Sequence, residues 1–324
     1  MTKVFIDGKA GTTGLRIFER LSDRSDIEIM TLPEEERKSP EARKRALNSC
    51  DIAFLCLPDD AAREAVSMIE NENVVVIDAS TAHRTNEAWC YGFPELSEAL
   101  ENKLKSSKRI AVPGCHASGF IALVYPLVEK GIVSKDALLT CHSLTGYSGG
   151  GKKMIAEYED EARDAIYGAP RQYALSQGHK HLPEMKAVTG IANAPVFCPI
   201  VADFYSGMLV TVPIFKSQLK EGYGIEEIKE IFKNKYNSEL VKYEECTDGG
   251  SMLSSNSMRG RDSMRIAVYG NDDRMILTAL YDNLGKGASG AAIQCMNMVL
   301  GVLKGILEVV IKVLTVARST LASG

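Results

Sequence analysis

The chain of 324 residues has one tryptophan, no pair of cysteines spaced CxxC, no internal repeat and no low-complexity stretch. Each absence removes something. The eight cysteines at 50, 56, 90, 115, 141, 198, 246 and 295 are scattered, as expected of reduced thiols in the cytosol rather than a disulfide framework. A net charge of −4 lacks the positive excess that a phosphate backbone demands, so nucleic acid is not an expected partner. The opening MTKVFIDG runs into a strand-like segment without a basic, then apolar, leader, so no secretory signal is expected. At the other end, GVLKGILEVVIKVLTVARSTLASG is apolar but broken by Lys304, Glu308, Lys312 and Arg318. No uncharged run there approaches the roughly 18 residues of a bilayer span. Its charges at 304, 308 and 312 fall on one side of a helix, and an amphipathic packed or partner-facing helix is expected, not a membrane anchor.

What is present reads as two domains. Hydrophobic residues at 45% and charged residues at 25% are ordinary for a globular protein. Short apolar strands at 3–7, 26–32, 51–58, 74–80 and 109–114 alternate with helical stretches at 13–21, 40–48 and 60–70. The continuous apolar run DIAFLCLP suits a strand covered on both faces. This alternation predicts a Rossmann-type, doubly wound parallel sheet, an α/β fold. After Gly114 the texture changes. FYSGMLVTVPIF, SMRIAVYGN and RMILTALYDN alternate polar and apolar residues, with a hairpin-like GNDD between the last two. An inserted α+β domain on a mostly antiparallel sheet is expected. The expected boundaries are 1–116 with 286–324 for the nucleotide domain and 117–285 for the catalytic and dimerisation domain.

Directly after the first strand comes GKAGTTG, with Gly8, Gly11 and Gly14 flanking Thr12 and Thr13. A strand, a glycine turn and a helix N-terminus make a pyrophosphate site, because backbone N–H groups and the helix dipole face the anion. A turn needed only for close packing is the alternative, and the loop's place in the first βα unit favours the cofactor. About 20 residues on, where NAD-binding chains often carry an acid, the second strand ends in Met30, Thr31 and Leu32. Arg37 and Lys38 follow and suit a 2′-phosphate, so NADP is expected as cofactor. The acidic run Glu34–Glu36 pulls the other way.

In AVPGCHASGF, Pro113 and Gly114 turn the chain after a strand and a helical run begins. Cys115 then sits at the carboxyl end of a parallel strand and at a helix N-terminus, where a thiol pKa falls. It is the expected nucleophile, while the other seven thiols read mostly as small hydrophobes. Its base must come from five histidines. His116 is expected to point elsewhere, His142 to face opposite Cys141, and His83 to lie in a loop. His179, His181 and Glu184 cluster in the loop-like GHKHLPEM, where a carboxylate can fix an imidazole tautomer. Two histidines and a cysteine find no suitably spaced fourth ligand for zinc, so no metal is expected.

Together, KVFIDGKAGTTGL, DASTAHR, YGFPEL, VPGCHASGF, GYSGGGKKMIAEYE, GHKHLPEM, FYSGMLVTVP and DNLGKGASGAA resemble the N-acetyl-gamma-glutamyl-phosphate reductases in their shorter form, over nearly the whole chain. The chain is similar to aspartate-semialdehyde dehydrogenases in architecture, but those lack the HxHxPE run. The resemblance implies that Cys115 accepts the acyl group and that His179, His181 and Glu184 belong to the catalytic site, with His181 the preferred base. It implies that the glycine loop and the segment from Asn283 through Gly287 to Gly290 flank NADP. It puts Ser80 and Arg84 near the substrate or its phosphate. The implied reaction is NADPH-dependent reduction of N-acetyl-L-glutamyl 5-phosphate to the semialdehyde through a cysteine thioester, a step of arginine biosynthesis. GYSGGG at 146–151 reads either as a shaper of the active site or as an ordinary loop. Expected partners are a small-molecule substrate and further copies of the chain, as dimer or tetramer, with no membrane. The alternatives are an aspartate-semialdehyde dehydrogenase-like enzyme acting on another acyl phosphate, and a catalytically silent NADP-binding regulator. Residues 302–324 match nothing in the family pattern.

Overall fold

The computed structural model describes residues 1–302; the expected helix of the C-terminal segment lies outside the described residues. The first sheet is built from β1 (Thr2–Asp7), β2 (Ile27–Met30), β3 (Ile52–Leu55), β4 (Val75–Asp78), β5 (Cys90–Tyr91) and β6 (Arg109–Ala111). Their order is β2-β1-β3-β4-β6-β5, and every pairing is parallel. The connecting helices are α1 (Thr12–Ser22), α2 (Pro40–Ser49), α3 (Asp59–Ser67) and α4 (Glu98–Ser106).

Period-2 alternation sorts each strand onto two cores. Val4, Ile6, Ile52, Phe54, Val75 and Ile77 point to one face with Ile17 and Leu21 of α1 and Leu104 of α4. Phe5, Ala53, Leu55 and Val76 point to the other, with Ala46, Leu47, Ala62 and Ala65 of α2 and α3. Both faces are covered, which is why these strands read as unbroken apolar runs.

The chain then leaves through α5 (Cys115–Glu129), followed by β7 (Thr140–Gly146), α6 (Gly151–Glu159), β8 (Arg171–Gln172), α7 (Leu182–Thr189), β9 (Val196–Ala202), β10 (Met208–Phe215), α8 (Ile225–Lys235), β11 (Val241–Tyr243), β12 (Met264–Gly270) and β13 (Arg274–Tyr281). The second sheet runs β11-β12-β13-β10-β7-β9-β8. Four of its six pairings are antiparallel; β7–β9 and β11–β12 are parallel.

One face of this sheet packs on α5, α7 and α8 through residues such as Val210, Val212, Leu277, Phe120 and Phe232. The opposite face is open: Val196, Phe215 and Ile276 are 57%, 57% and 39% exposed. A π-turn at 285–289 then leads into α9 (Gly290–Val299), which returns to the first sheet with Ala291, Ile293 and Met296 in the same core as α1. Helix α5 is buried along almost its whole length, so its first residue is held by both halves of the molecule.

Candidate active site

A cavity of about 470 Å³ opens where the two sheets meet, lined by Gly11, Thr12 and Thr13 on one side and by Cys115, His181 and Asn283 on the other. The glycine loop forms the first wall because its geometry leaves no alternative. Gly8 has φ +86°, and a Cβ on it would run into the Cys56 carbonyl; one on Gly14 would lie 2.5 Å from the Gly8 carbonyl oxygen. Gly11 is the N-cap of α1 with no side-chain cap, so the first N–H groups of the helix are offered to whatever enters. The Thr12 hydroxyl is buried there without a hydrogen-bond partner.

Arg84 reaches the cavity from the DASTAHR turn. Asp78, fully buried at the end of β4, accepts from the Ser80 N–H at 2.9 Å and from its hydroxyl at 2.7 Å, and meets His83 Nδ1 at 2.7 Å. His83 stacks on Trp89 with centroids 4.0 Å apart. The turn so formed aims Arg84 inward, its Nε donating to the Val112 carbonyl at 2.8 Å and Nη2 to the Ala79 carbonyl at 3.0 Å. Ser80, implied as a substrate contact by the resemblance, instead turns its hydroxyl to Asp78 and does not line the cavity.

Glu184 joins the pieces. It lies in the first turn of α7 and is 1% exposed. Its Oε1 accepts from the Tyr91 hydroxyl at 2.6 Å and from the Gly114 N–H at 2.8 Å; its Oε2 accepts from Arg84 at 3.1 Å. The carboxylate thus ties β5, the cap of α5 and Arg84 together. The stretch expected to be a loop through Glu184 becomes helical at Leu182, with Pro183 inside the first turn, where proline's missing N–H costs nothing.

Three imidazoles cluster beside the thiol. Ring centroids are 4.7 Å apart for His179 and His181, and 5.6 Å from His116 to each of them. His116, expected to point elsewhere, lines the same cavity: successive helix residues are about 100° apart, and at a helix end both can border one space. Its nitrogens are both engaged, with Ser143 Oγ at 2.6 Å and the Tyr173 hydroxyl at 2.6 Å. His179 Nδ1 accepts from the His181 N–H at 3.2 Å. His181 Nδ1 is buried with no partner.

Burial drives all three imidazoles toward the neutral form, His116 to about 3, His179 to about 4, and His181 well below the usual value, with Arg84 adding to the last. Burial also raises the Cys115 thiol, against the expected lowering; Arg84, the His116 N–H and Lys180 oppose it without winning. Cys56, the other thiol on the cavity, is pushed up to about 12 by burial and by Asp78 and Asp7. Cys115 does open α5, as expected, but desolvation decides the sign of its shift.

Asn283 accepts from the Gly207 N–H at 2.9 Å and donates to Ser148 at 3.0 Å, which pins the 146–151 loop to the end of β13. Gly287 packs against Cys115. Arg37 pairs with Glu34; neither Arg37 nor Lys38 lines the cavity. Sequence reasoning missed Tyr91, Tyr173 and Lys180, which lies between the two histidines it did single out. No group of histidine, cysteine and acidic residues suited to a metal ion occurs among the described residues.

The description "semialdehyde dehydrogenase, NAD binding domain" matches residues 3–103 and "semialdehyde dehydrogenase, dimerisation domain" matches 115–283. The chain is 42% identical over 312 residues to N-acetyl-gamma-glutamyl-phosphate reductase 2 of a Nostoc species, covering 92% of this chain and 97% of that one. It is 44% identical over 306 residues to the N-acetyl-gamma-glutamyl-phosphate reductase of Sinorhizobium medicae, covering 92% and 98%. In three dimensions it is similar to aspartate semialdehyde dehydrogenase II of Vibrio cholerae, TM-score 0.68 at 14% identity over 93% and 98% of the two chains. The Candida albicans aspartate semialdehyde dehydrogenase with NADP gives TM-score 0.64 at 17% identity, over 92% and 98%. Such distant likeness carries the two-domain fold; the reductase sequences match at 42–44% identity over more than nine-tenths of both chains, and the chain belongs to the N-acetyl-gamma-glutamyl-phosphate reductases within the semialdehyde dehydrogenase family.

Proposed function

We propose that the chain reduces N-acetyl-L-glutamyl 5-phosphate to N-acetyl-L-glutamate 5-semialdehyde and phosphate, with NADPH as reductant, in arginine biosynthesis. The observation that carries the reading is the pairing, in one cavity, of the Cys115 thiol with His181, whose buried Nδ1 has no partner. Of the three clustered imidazoles, His116 has both nitrogens engaged and His179 has Nδ1 engaged. We assign the base to His181, whose Nε2 faces the cap of α5, where a Cβ on Gly114 would lie 2.6 Å from it, and whose depressed pKa keeps it unprotonated and able to accept.

His181 takes the Cys115 proton, and the thiolate attacks the acyl carbon. The carbon–oxygen bond to phosphate breaks, leaving a thioester on Cys115. Arg84 and Lys180, the cations on the cavity, receive the departing phosphate. NADPH, when bound, supplies the hydride that takes the acyl group to the aldehyde level. His181 returns its proton to sulfur as the carbon–sulfur bond opens. Glu184 keeps Arg84 and the Gly114 cap in register throughout, and His179 supports His181 through its backbone.

The residues fit the cofactor. The orphaned Thr12 hydroxyl and the free first turn of α1 suit its pyrophosphate, with Gly8, Gly11, Thr13 and Gly14 shaping the turn. Asn283 and Gly287 stand on the far side of the cavity, and Arg37 and Lys38 favour NADP through its 2′-phosphate. Residues 1–116 and 286 onward serve as the cofactor domain and 117–285 as the catalytic and dimerisation domain. The open face of the second sheet, with Phe215, Val196 and Ile276, suits a second copy of the chain and makes a homodimer the assembly we infer. No helix among the described residues is long and apolar enough to cross a membrane. All eight cysteines are free, and the reducing cytosol is the compartment that matches them.

The test is phosphate-dependent reduction of NADP with three aldehydes. N-acetylglutamate semialdehyde is expected to give the highest kcat/KM, above unacetylated glutamate semialdehyde and aspartate semialdehyde. One methylene discriminates by only about 1–3 kcal/mol, whereas a charged ammonium in a site built for an amide costs more. If aspartate semialdehyde is the best of the three, the substrate assignment is wrong.

A further inference from the structure

We infer that Tyr281 is a positioning residue for the Cys115 nucleophile: its hydroxyl is wedged into the first turn of α5 with its proton on the carbonyl of the residue that bears the thiol. In an α-helix the carbonyl of residue 115 and the N–H of residue 119 are mutual partners. Here the Tyr281 hydroxyl serves both. It donates to the Cys115 carbonyl at 2.5 Å and accepts from the Gly119 N–H at 3.1 Å. The direction is fixed by chemistry, because a phenol has one proton and an amide N–H can only donate. Tyr281 is fully buried, its ring in the core beneath α5. A Cβ on residue 119 would come within 2.8 Å of that hydroxyl and 2.6 Å of Val210 Cγ2, so glycine is what leaves room for the wedge.

Two consequences follow from the placement. The cap of α5 has no side chain of its own, so the turn carrying the thiol is held from outside: Glu184 takes the Gly114 N–H and Tyr281 takes the Cys115 carbonyl. Tyr281 ends β13, and six residues later Gly287 packs so close that a Cβ there would lie 3.1 Å from Cys115 Cβ. One short stretch, 281–287, therefore sets both the height of the nucleophile and the shape of the cavity beneath it. The second consequence is electrostatic. The O–H dipole has its positive end toward residue 115, and on a thiol that burial drives toward neutrality a donated proton on the adjacent carbonyl favours the thiolate.

The test rests on Cys115 being the nucleophile, and its first readout, thiol alkylation, needs no substrate. Tyr281→Phe keeps the ring and removes the hydroxyl, and iodoacetamide alkylation of Cys115, located by mass spectrometry, is followed against pH. The midpoint is expected to rise by about half to one unit, so that alkylation near neutral pH slows about three- to tenfold and recovers as pH is raised. The kcat falls with it, while NADP affinity and KM stay within about twofold. An unchanged midpoint with an unchanged kcat, even alongside a lower Tm, overturns the proposal: the hydroxyl then only fills space. Should the phenylalanine variant not fold, site-specific 3-fluorotyrosine at 281 keeps the ring and strengthens the donor. Its midpoint is expected to fall, and an unmoved midpoint again overturns the proposal. A shifted midpoint in a protein that prefers another aldehyde supports the role of Tyr281 while refuting the substrate reading.

Discussion

The wall of the cavity that comes from the first sheet is made of backbone, whereas the wall that comes from α5 and α7 is made of interlocked side chains. On the first wall, Gly8, Gly11 and Gly14 clear the approach to the N–H groups of α1, and only the Thr12 hydroxyl waits unpaired. On the second, Glu184 alone accepts from Tyr91, Gly114 and Arg84, and three neutral imidazoles pack edge to face or tilted against one another. The difference teaches where each part is vulnerable. A backbone wall breaks when any side chain is added, and a side-chain wall breaks when one is changed in kind.

The sharpest separation comes from Cys115, the nucleophile we propose. Cys115→Ser is expected to lower kcat by at least about 10³-fold while NADP affinity, measured by fluorescence titration, stays within about twofold. A parallel loss of NADP binding would show that the two walls are one unit.

Glu184→Gln is expected to be next. Three donors converge on this carboxylate, and an amide must turn its own NH₂ toward at least one of them, leaving Arg84 buried without its counter-charge. The expected outcome is about a 10²-fold lower kcat/KM, or ~2.7 kcal/mol of transition-state stabilisation, with a lower Tm by calorimetry. An activity loss below about threefold would mean that the network holds without its charge.

Gly14→Ala attacks the other wall. Its Cβ would meet the Gly8 oxygen at 2.5 Å and the Lys9 Cα at 2.9 Å, both backbone. NADP affinity is expected to fall about tenfold, with iodoacetamide alkylation of Cys115 unchanged as the control. Altered alkylation would show the glycine loop reaching the thiol.

Acid should find the side-chain wall. His116 and His179 titrate near 3 and 4 when folded, and His181 is also depressed, against about 6.5 in the unfolded chain. Between those values the unfolded state binds more protons, so stability falls as pH is lowered from 6.5 toward 4 and levels below the folded values. Thermal denaturation across pH 4–7 checks this, and His179→Asn is expected to flatten the slope; an identical slope would assign acid lability elsewhere. The smallest effect belongs to Arg37→Glu. Because Arg37 is already paired with Glu34, the NADP-over-NAD ratio of kcat/KM is expected to drop only a few-fold, and no change at all would leave Lys38 as the cation that matters.

Much of this was legible in the residues. The alternation of strands and helices announced the parallel sheet, and the continuous apolar run within 51–58 announced that both its faces are covered. Cys115 could be singled out because a small-residue turn after a strand is a poor place to bury a thiol for packing. His116 was misjudged because orientation at a helix end depends on where the helix begins, and it begins at Cys115 itself. Tyr91, 93 residues away from Glu184 in sequence, carries no local mark at all.

What the sequence determined by itself is therefore what depends on neighbours along the chain: strand and helix periodicity, the glycine turn, a cysteine that opens a helix just after a strand and the two-domain division of texture. What only the tertiary structure decided is which long-range partners meet. It brought Glu184 to Gly114, set Tyr281 across the first turn of α5, turned Ser80 to Asp78, and left His181 Nδ1 without a partner. The sign of the Cys115 shift belongs with these. A helix N-terminus is visible locally and lowers a thiol pKa, but the desolvation that reverses it comes from two sheets closing over the site, and no local window of residues contains that burial.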